Sequence, residues 1–208
     1  MTTITIVTAW KNNRHYERDY FRAVNTADAQ HIVVDDHSDP PLPNALNTGD
    51  KTGFSGCNNV GLDAAHTDAV LFLNSDIVAR SADWIEPLRD LLEPGVMVGA
   101  QLRYDPHGAV DGQPMPYIDG WCLAGMTEDL QYLEGFDEEM DEHGYYADND
   151  ISFRARLAGI TLKEARVPIT HLRDTKPPEL PSPHVRAVTL KNKARFEARV
   201  RDALGVAA

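Results

Sequence analysis

Short apolar runs alternate with longer amphipathic stretches through the first half of the chain. Residues 4–8 are all β-branched and predict a buried strand. Residues 15–24 read as a helix, and 31–35 as a second strand that ends in acid. Three prolines between 37 and 49 predict a loop. A glycine-rich entry opens a helix over 53–65. The third strand, 69–73, is wholly apolar and runs straight into Asn74-Ser75-Asp76. Residues 81–92 predict a helix with Ser81 as N-cap and Asp83 and Glu86 in its first turns, and 96–102 a fourth strand. Such alternation implies βαβ units, a mostly parallel sheet and an α/β fold, in which ligands bind beyond the carboxyl ends of the strands. The polar residues there are those at 8–11, Asp35-Asp36 and 74–76.

The second half is less regular. Residues 103–117, rich in Gly and Pro, predict a loop or hairpin, and 120–126 a strand. Apolar residues at 147, 151, 155 and 158 make a helical stripe that Gly159 closes. Residues 160–167 predict a strand leading towards His171, and four prolines between 176 and 183 an extended loop. Residues 184–204 predict a basic helix with Val185, Val188, Phe196, Val200 and Leu204 roughly on one side. With no repeat and no second core, the expectation is one domain over 1–172, with a loop and C-terminal helix over 173–208 packed on it.

Composition narrows the function classes. The longest apolar run is five residues, against about 20 for a membrane span. The first residues read as a strand and not a secretory leader. The net charge of −12 disfavours general nucleic-acid binding. Cys57 and Cys122, in no CxxC pattern, are expected as free thiols in a reducing cytoplasm. The basic C-terminal helix would suit packing on the domain, a membrane surface or a dimer contact.

Three places could carry chemistry. Asn74 and Asp76, two apart on an extended segment, point the same way; their oxygens suit Mg²⁺ or Mn²⁺ beside a substrate phosphate, but an Asn/Asp turn reads the same. Asp148 and Asp150 open a helix, where acids serve either as caps or as a general base that stays ionised at neutral pH. His171 is either structural or a metal ligand.

Taken together, the ordered segments Ile6-Val7-Thr8-Ala9-Trp10, Ile32 to Ser38, Thr52 to Gly61, Leu71 to Asp76, Leu133 to Glu138 and Tyr146 to Arg154 resemble the inverting family 2 glycosyltransferases of the GT-A fold, in particular small rhamnosyl- and galactofuranosyl-transferase-like members. The resemblance covers roughly 3–172. It implies a Rossmann-like, mostly parallel sheet flanked by helices, a nucleotide-sugar donor (UDP first, GDP and dTDP open), a hydroxyl acceptor on a glycan, lipid-linked glycan or protein, and Mn²⁺ or Mg²⁺. For donor binding it implies Thr8, Trp10, Asp35 and Asp36, the segment from Gly53 with Asn59, and Asn74 with Ser75. Lys51 stands where the family usually has Asn, and could itself meet a phosphate. Asp76 is implied as the principal metal ligand, with His171 in the place of a third. Asp148 takes the base position, although Ala147 replaces the usual Glu before it. Asp119 and Trp121 fall on the acceptor side, Trp121 either stacking on a sugar face or simply buried, and Asp150 is a helix-organising or acceptor contact. A non-catalytic sugar-binding module on the same fold is the chief alternative. A nucleotidyltransferase would want a glycine- and lysine-rich signature after the first strand, which Trp10-Lys11-Asn12-Asn13 does not supply.

Overall fold

The computed structural model describes residues 1–104, 109–110, 112–140, 144–175 and 182–205. The first half contributes β1 (Ile4–Trp10), α1 (Glu17–Val24), β2 (Gln30–Asp35), β3 (Leu46–Asn47), α2 (Gly53–Ala64), β4 (Ala69–Leu73), β5 (Ile77–Ala79), α3 (Glu86–Arg89) and β6 (Val96–Gly99). The second half adds β7 (Leu102–Arg103), β8 (Ala109–Val110), β9 (Gln113–Pro114), β10 (Tyr117–Ile118), β11 (Cys122–Met126), α4 (Thr127–Tyr132), α5 (Ala147–Leu157), β12 (Thr161–Glu164), β13 (Ile169–His171) and α6 (Pro183–Leu204). Seven strands form the central sheet in the order β12-β6-β11-β4-β1-β2-β3. All its ladders are parallel except the two made by β11.

Strand alternation splits the core in two. Ala69, Leu71 and Leu73 of β4 join Trp10, Tyr20 of α1 and Leu88 of α3 on one face. Val70 and Phe72 join Leu62 of α2, Leu130 of α4, Ile151 of α5 and Phe196 of α6 on the other. Because β4 is covered on both faces, all five of its residues are buried, the pattern of a central strand in an α/β sheet.

α2 lies close on β1 at Gly61, where a Cβ would sit 2.1 Å from Val7 Cγ1. Gly61→Ala is therefore expected to destabilise the fold by about 1–3 kcal/mol through overpacking, although the same change at an open helical position would gain about 1 kcal/mol. The urea midpoint decides, and a rise would refute the close packing.

Several boundaries differ from those predicted. The helix over 81–92 contracts to Glu86–Arg89. Pro87 lacks the N–H that would bond back to Asp83, so the chain ahead of it turns instead, with Glu86 N bonded to Asp83 O. Ser81 is consequently no cap. The strand over 96–102 breaks after Gly99, where Asp119 N bonds to Gln101 O and the chain turns to pair β7 with β10. The 37–49 loop hides β3, which adds to the sheet edge beside β2. In the 103–117 segment the hairpin alternative holds for β8 with β9. The proline loop over 176–181 lies outside the described residues.

α6 departs from a simple basic stripe. Its buried residues are Val188, Asn192, Phe196 and Val200, whereas Leu204 is exposed. Lys193, Arg195, Arg199 and Arg201 all make ion pairs to acidic residues, so much of its positive charge is offset within the fold. Among the described residues no helix is long and apolar enough to cross a membrane. Cys57 and Cys122 are buried free thiols.

Candidate active site

The carboxyl ends of β1, β2 and β4 open onto a cleft of about 250 Å³. It is lined by Lys11, Asn13 and Tyr16 beyond β1, by Asp36 beyond β2, by Gly53 and Phe54 at the start of α2, and by Asn74, Ser75 and Asp76 beyond β4. A second cleft of about 120 Å³ is lined by Asp119, Gly120, Trp121, Tyr145, Asp148, His171 and Arg173. Asn74 and Phe54 line both, so the two are contiguous.

In the first cleft, Asp36 is 3 % exposed. It accepts hydrogen bonds from Lys11 Nζ at 3.0 Å, the Gly53 N–H at 3.2 Å and His37 Nδ1 at 3.3 Å. Burial disfavours its charge, but these donors outweigh burial and hold the carboxyl below the usual range. Asp35 turns inward, its Oδ2 accepting from Leu42 N at 3.3 Å and its Oδ1 buried without a hydrogen bond. Ser75 accepts from Asn13 Nδ2 at 2.8 Å, which ties the end of β4 to the loop after β1.

Asp76 and His171 meet because β13 pairs antiparallel with β5, opposite Ile77. Asp76 Oδ1 lies 3.2 Å from His171 Nε2. The Trp121 ring stacks on the imidazole at 4.9 Å and 3°, and Trp121 Nε1 donates to Gln101. At 5 % exposure, Trp121 orients the histidine and offers little face to a sugar. Among the described residues no three His, Cys, Asp or Glu are grouped to hold a metal unaided. A carboxylate and an imidazole at this separation suit a divalent ion that takes its remaining ligands from phosphate and water.

Asp148, in the first turn of α5, accepts from Gly120 N at 3.0 Å through Oδ2 and from Asn149 N at 3.0 Å through Oδ1. Burial, and then the charge of Asp119, push its carboxyl up to about 7 against those hydrogen bonds. The expectation of a carboxylate firmly ionised at neutral pH is thus corrected, because desolvation outweighs the helix N-terminus. Asp119 accepts from Arg103 Nε at 2.6 Å. Arg173 donates to the Tyr145 hydroxyl at 2.5 Å, and the charges of Asp76 and Asp119 add to the rise in its pKa that this bond begins.

Five residues expected at the site have their side chains engaged elsewhere. Thr8 is fully buried, donating to Leu73 O and accepting from the Tyr20 hydroxyl. Lys51 pairs with Glu138 at 2.7 Å. Asn59 clasps the backbone of Phe136 through both ends of its amide. Asp150 is fully buried and accepts from Arg154 and Arg199. Trp10 borders the first cleft, yet its ring is 0 % exposed and packs on Tyr20 and Phe21, which leaves no face for a base.

Conversely, Asn13, Tyr16, Phe54, Tyr145 and Arg173 line the clefts without having been singled out as site residues, while Lys11, at a strand end already marked, lines the first. Asn13 was detectable as the polar continuation of that strand end. Tyr145 carries no comparable sequence signal.

No family profile and no curated protein matches the chain. Solved structures do. A mannosyltransferase from Pyrobaculum calidifontis, solved with GDP-Man and Mn²⁺, aligns over 100 % of this chain and 76 % of its own, at TM-score 0.59 and 15 % identity. TarS from S. aureus aligns over 78 % of this chain and 35 % of its own, at 0.54 and 16 %. A variant of Drosophila β1,4-galactosyltransferase 7, solved with manganese, UDP-Gal and xylobiose, aligns over 90 % and 79 %, at 0.55 and 12 %. At these identities the likeness is one of architecture, and the chain has the GT-A fold of these glycosyltransferases.

Proposed function

We propose that this chain is a glycosyltransferase that moves a sugar from a nucleotide-diphosphate sugar to an acceptor hydroxyl, inverting the anomeric carbon. The observation that carries the reading is the junction of the two clefts at Asn74. Asp76 lines one and His171 the other, 3.2 Å apart, and the second also holds a carboxyl poised near neutrality.

The nucleotide diphosphate suits the larger cleft, with polar groups from Lys11, Asn13, Asp36 and Ser75 and rings from Tyr16 and Phe54. Asp76 and His171 would hold Mn²⁺ or Mg²⁺, whose charge offsets that growing on the leaving diphosphate. In the smaller cleft Asp148 takes the proton of the acceptor hydroxyl. The acceptor oxygen attacks the anomeric carbon from the face opposite the diphosphate, and the bond from that carbon to the diphosphate oxygen breaks. Burial, and then the charge of Asp119, raise the basicity of Asp148, and the Trp121 ring stacks on His171.

The ordered motifs favour the inverting family 2 assignment, its small rhamnosyl- and galactofuranosyl-transferase-like members, and UDP as the nucleotide. The neighbours solved with GDP-Man and with UDP-Gal support nucleotide-sugar chemistry on this fold.

A thermal-shift series of nucleoside diphosphates and nucleotide sugars, with and without Mn²⁺, tests the reading. At a hundredfold excess over Kd a ligand adds about 2.7 kcal/mol, roughly 5–10 °C at this chain length. The expected result is a UDP-sugar shift that needs the metal. No shift with any nucleotide would sink the proposal. Binding without transfer or hydrolysis would mark a nucleotide-sugar-binding module.

A further inference from the structure

α6 touches neither cleft, yet one stripe of it grips the segment that carries Asp148 at three points. Asn192, fully buried, donates from Nδ2 to the Tyr145 carbonyl at 2.9 Å. Phe196, also fully buried, packs its ring 5.8 Å from that of Tyr146. Arg199 donates through Nη1 to the buried Asp150 and through Nη2 to Asp137 at 2.7 Å. These residues are spaced i, i+4, i+7 and therefore share one face. Their targets at 145, 146 and 150 lie on both sides of Asp148 in the chain. Tyr146 enters α5 in a left-handed conformation, φ +70°, which a non-glycine residue adopts only when its surroundings impose it.

Within the glycosyltransferase reading, we infer that the Asn192–Phe196–Arg199 face of α6 consists of positioning residues, which set the place of Asp148 against the acceptor hydroxyl. The donor cleft is built from β1, β2, β4 and the start of α2, whereas the hydrogen bonds and ring contact of this face described above fall on residues 137, 145, 146 and 150. Loosening it should therefore slow proton removal and leave donor binding alone. The geometric sensitivity is large, since a displacement of about 1 Å at a reacting group can cost on the order of a hundredfold in rate.

The test is steady-state kinetics of the full chain with Mn²⁺ and the UDP-sugar that shifts its melting temperature, comparing wild type, Asn192→Ala, Arg199→Ala, Arg199→Lys and the solvent-side control Leu190→Ala. Asn192→Ala is expected to lower kcat by roughly tenfold or more with donor KM within about twofold. Arg199→Lys, which keeps the charge, should lose less than Arg199→Ala, and Leu190→Ala should match wild type. If Asn192→Ala does not fold, Phe196→Leu carries the same comparison. An unchanged kcat, or a loss confined to donor KM, overturns the positioning role. A wild-type chain that binds no nucleotide and turns nothing over instead overturns the glycosyltransferase reading.

Discussion

Asp148→Asn is expected to lower kcat by about 10²- to 10⁴-fold, the span that a positioned general base contributes, while nucleotide binding and the fold persist. The amide keeps the shape of the carboxylate but cannot take a proton. The pH profile makes the assignment sharper. Burial and the neighbouring Asp119 raise the Asp148 carboxyl to about 7, and the ionised form is the active one. Activity should thus climb with pH through an apparent pKa near 7 and level off above it. Asp119→Asn should move that limb to lower pH by removing the second cause of the shift. Stability carries the opposite sign. Between about pH 4 and 7 the folded chain holds a proton that the unfolded chain has released, so this group makes stability fall as pH rises through that window. In Asp148→Asn that contribution disappears. Full transfer activity in Asp148→Asn, or a pH limb left near 4, would remove Asp148 from the base role.

The second large effect is structural. Asp150→Ala is expected to destabilise the chain by about 3 kcal/mol, the lower end of what breaking a buried ion pair costs. Asp150 has no solvent exposure, and it accepts from Arg154 Nε at 2.8 Å and from Arg199 Nη1. The lower end applies because both guanidinium groups keep part of their surface in water. The melting temperature should drop by roughly 6–12 °C. Asp150→Asn should lose less, since an amide oxygen can still accept one of the bonds. A melting point unchanged in Asp150→Ala would show that the network contributes nothing net, as some buried ion pairs do.

The two carboxylates of α5 show where reading the chain stops. Asp148 and Asp150 are both acids at a helix start, equally legible as caps. Asp148 lies against Gly120 and Asp119, and Asp150 lies against Arg154 of its own helix and Arg199 of α6. The nearest charged neighbour of each outside α5 is tens of residues away in the chain, so no local pattern separates a group pushed towards neutrality from a structural anion. The same holds for Asp35 and Asp36. Adjacent residues on a strand face opposite ways, but which one meets the cleft depends on where the strand ends and on Lys11 and Gly53 coming to meet it. Asn59 and Lys51 fit a nucleotide-binding stretch by position, yet they hold the 136–138 loop.

By itself the sequence determined the alternation of strands and helices, and from it the mostly parallel sheet and the strand ends where polar residues collect. Those depend on periodicity and on where apolar runs stop, which are local properties. It also marked Asn74-Ser75-Asp76 and His171 as candidates. Only the tertiary structure decided that Asp76 and His171 meet, because β13 had to pair with β5 to bring them together. Only it decided the upward shift of the Asp148 carboxyl and the grip of α6 on its helix. Desolvation and charge act through space, and the groups responsible converge only once the chain has folded.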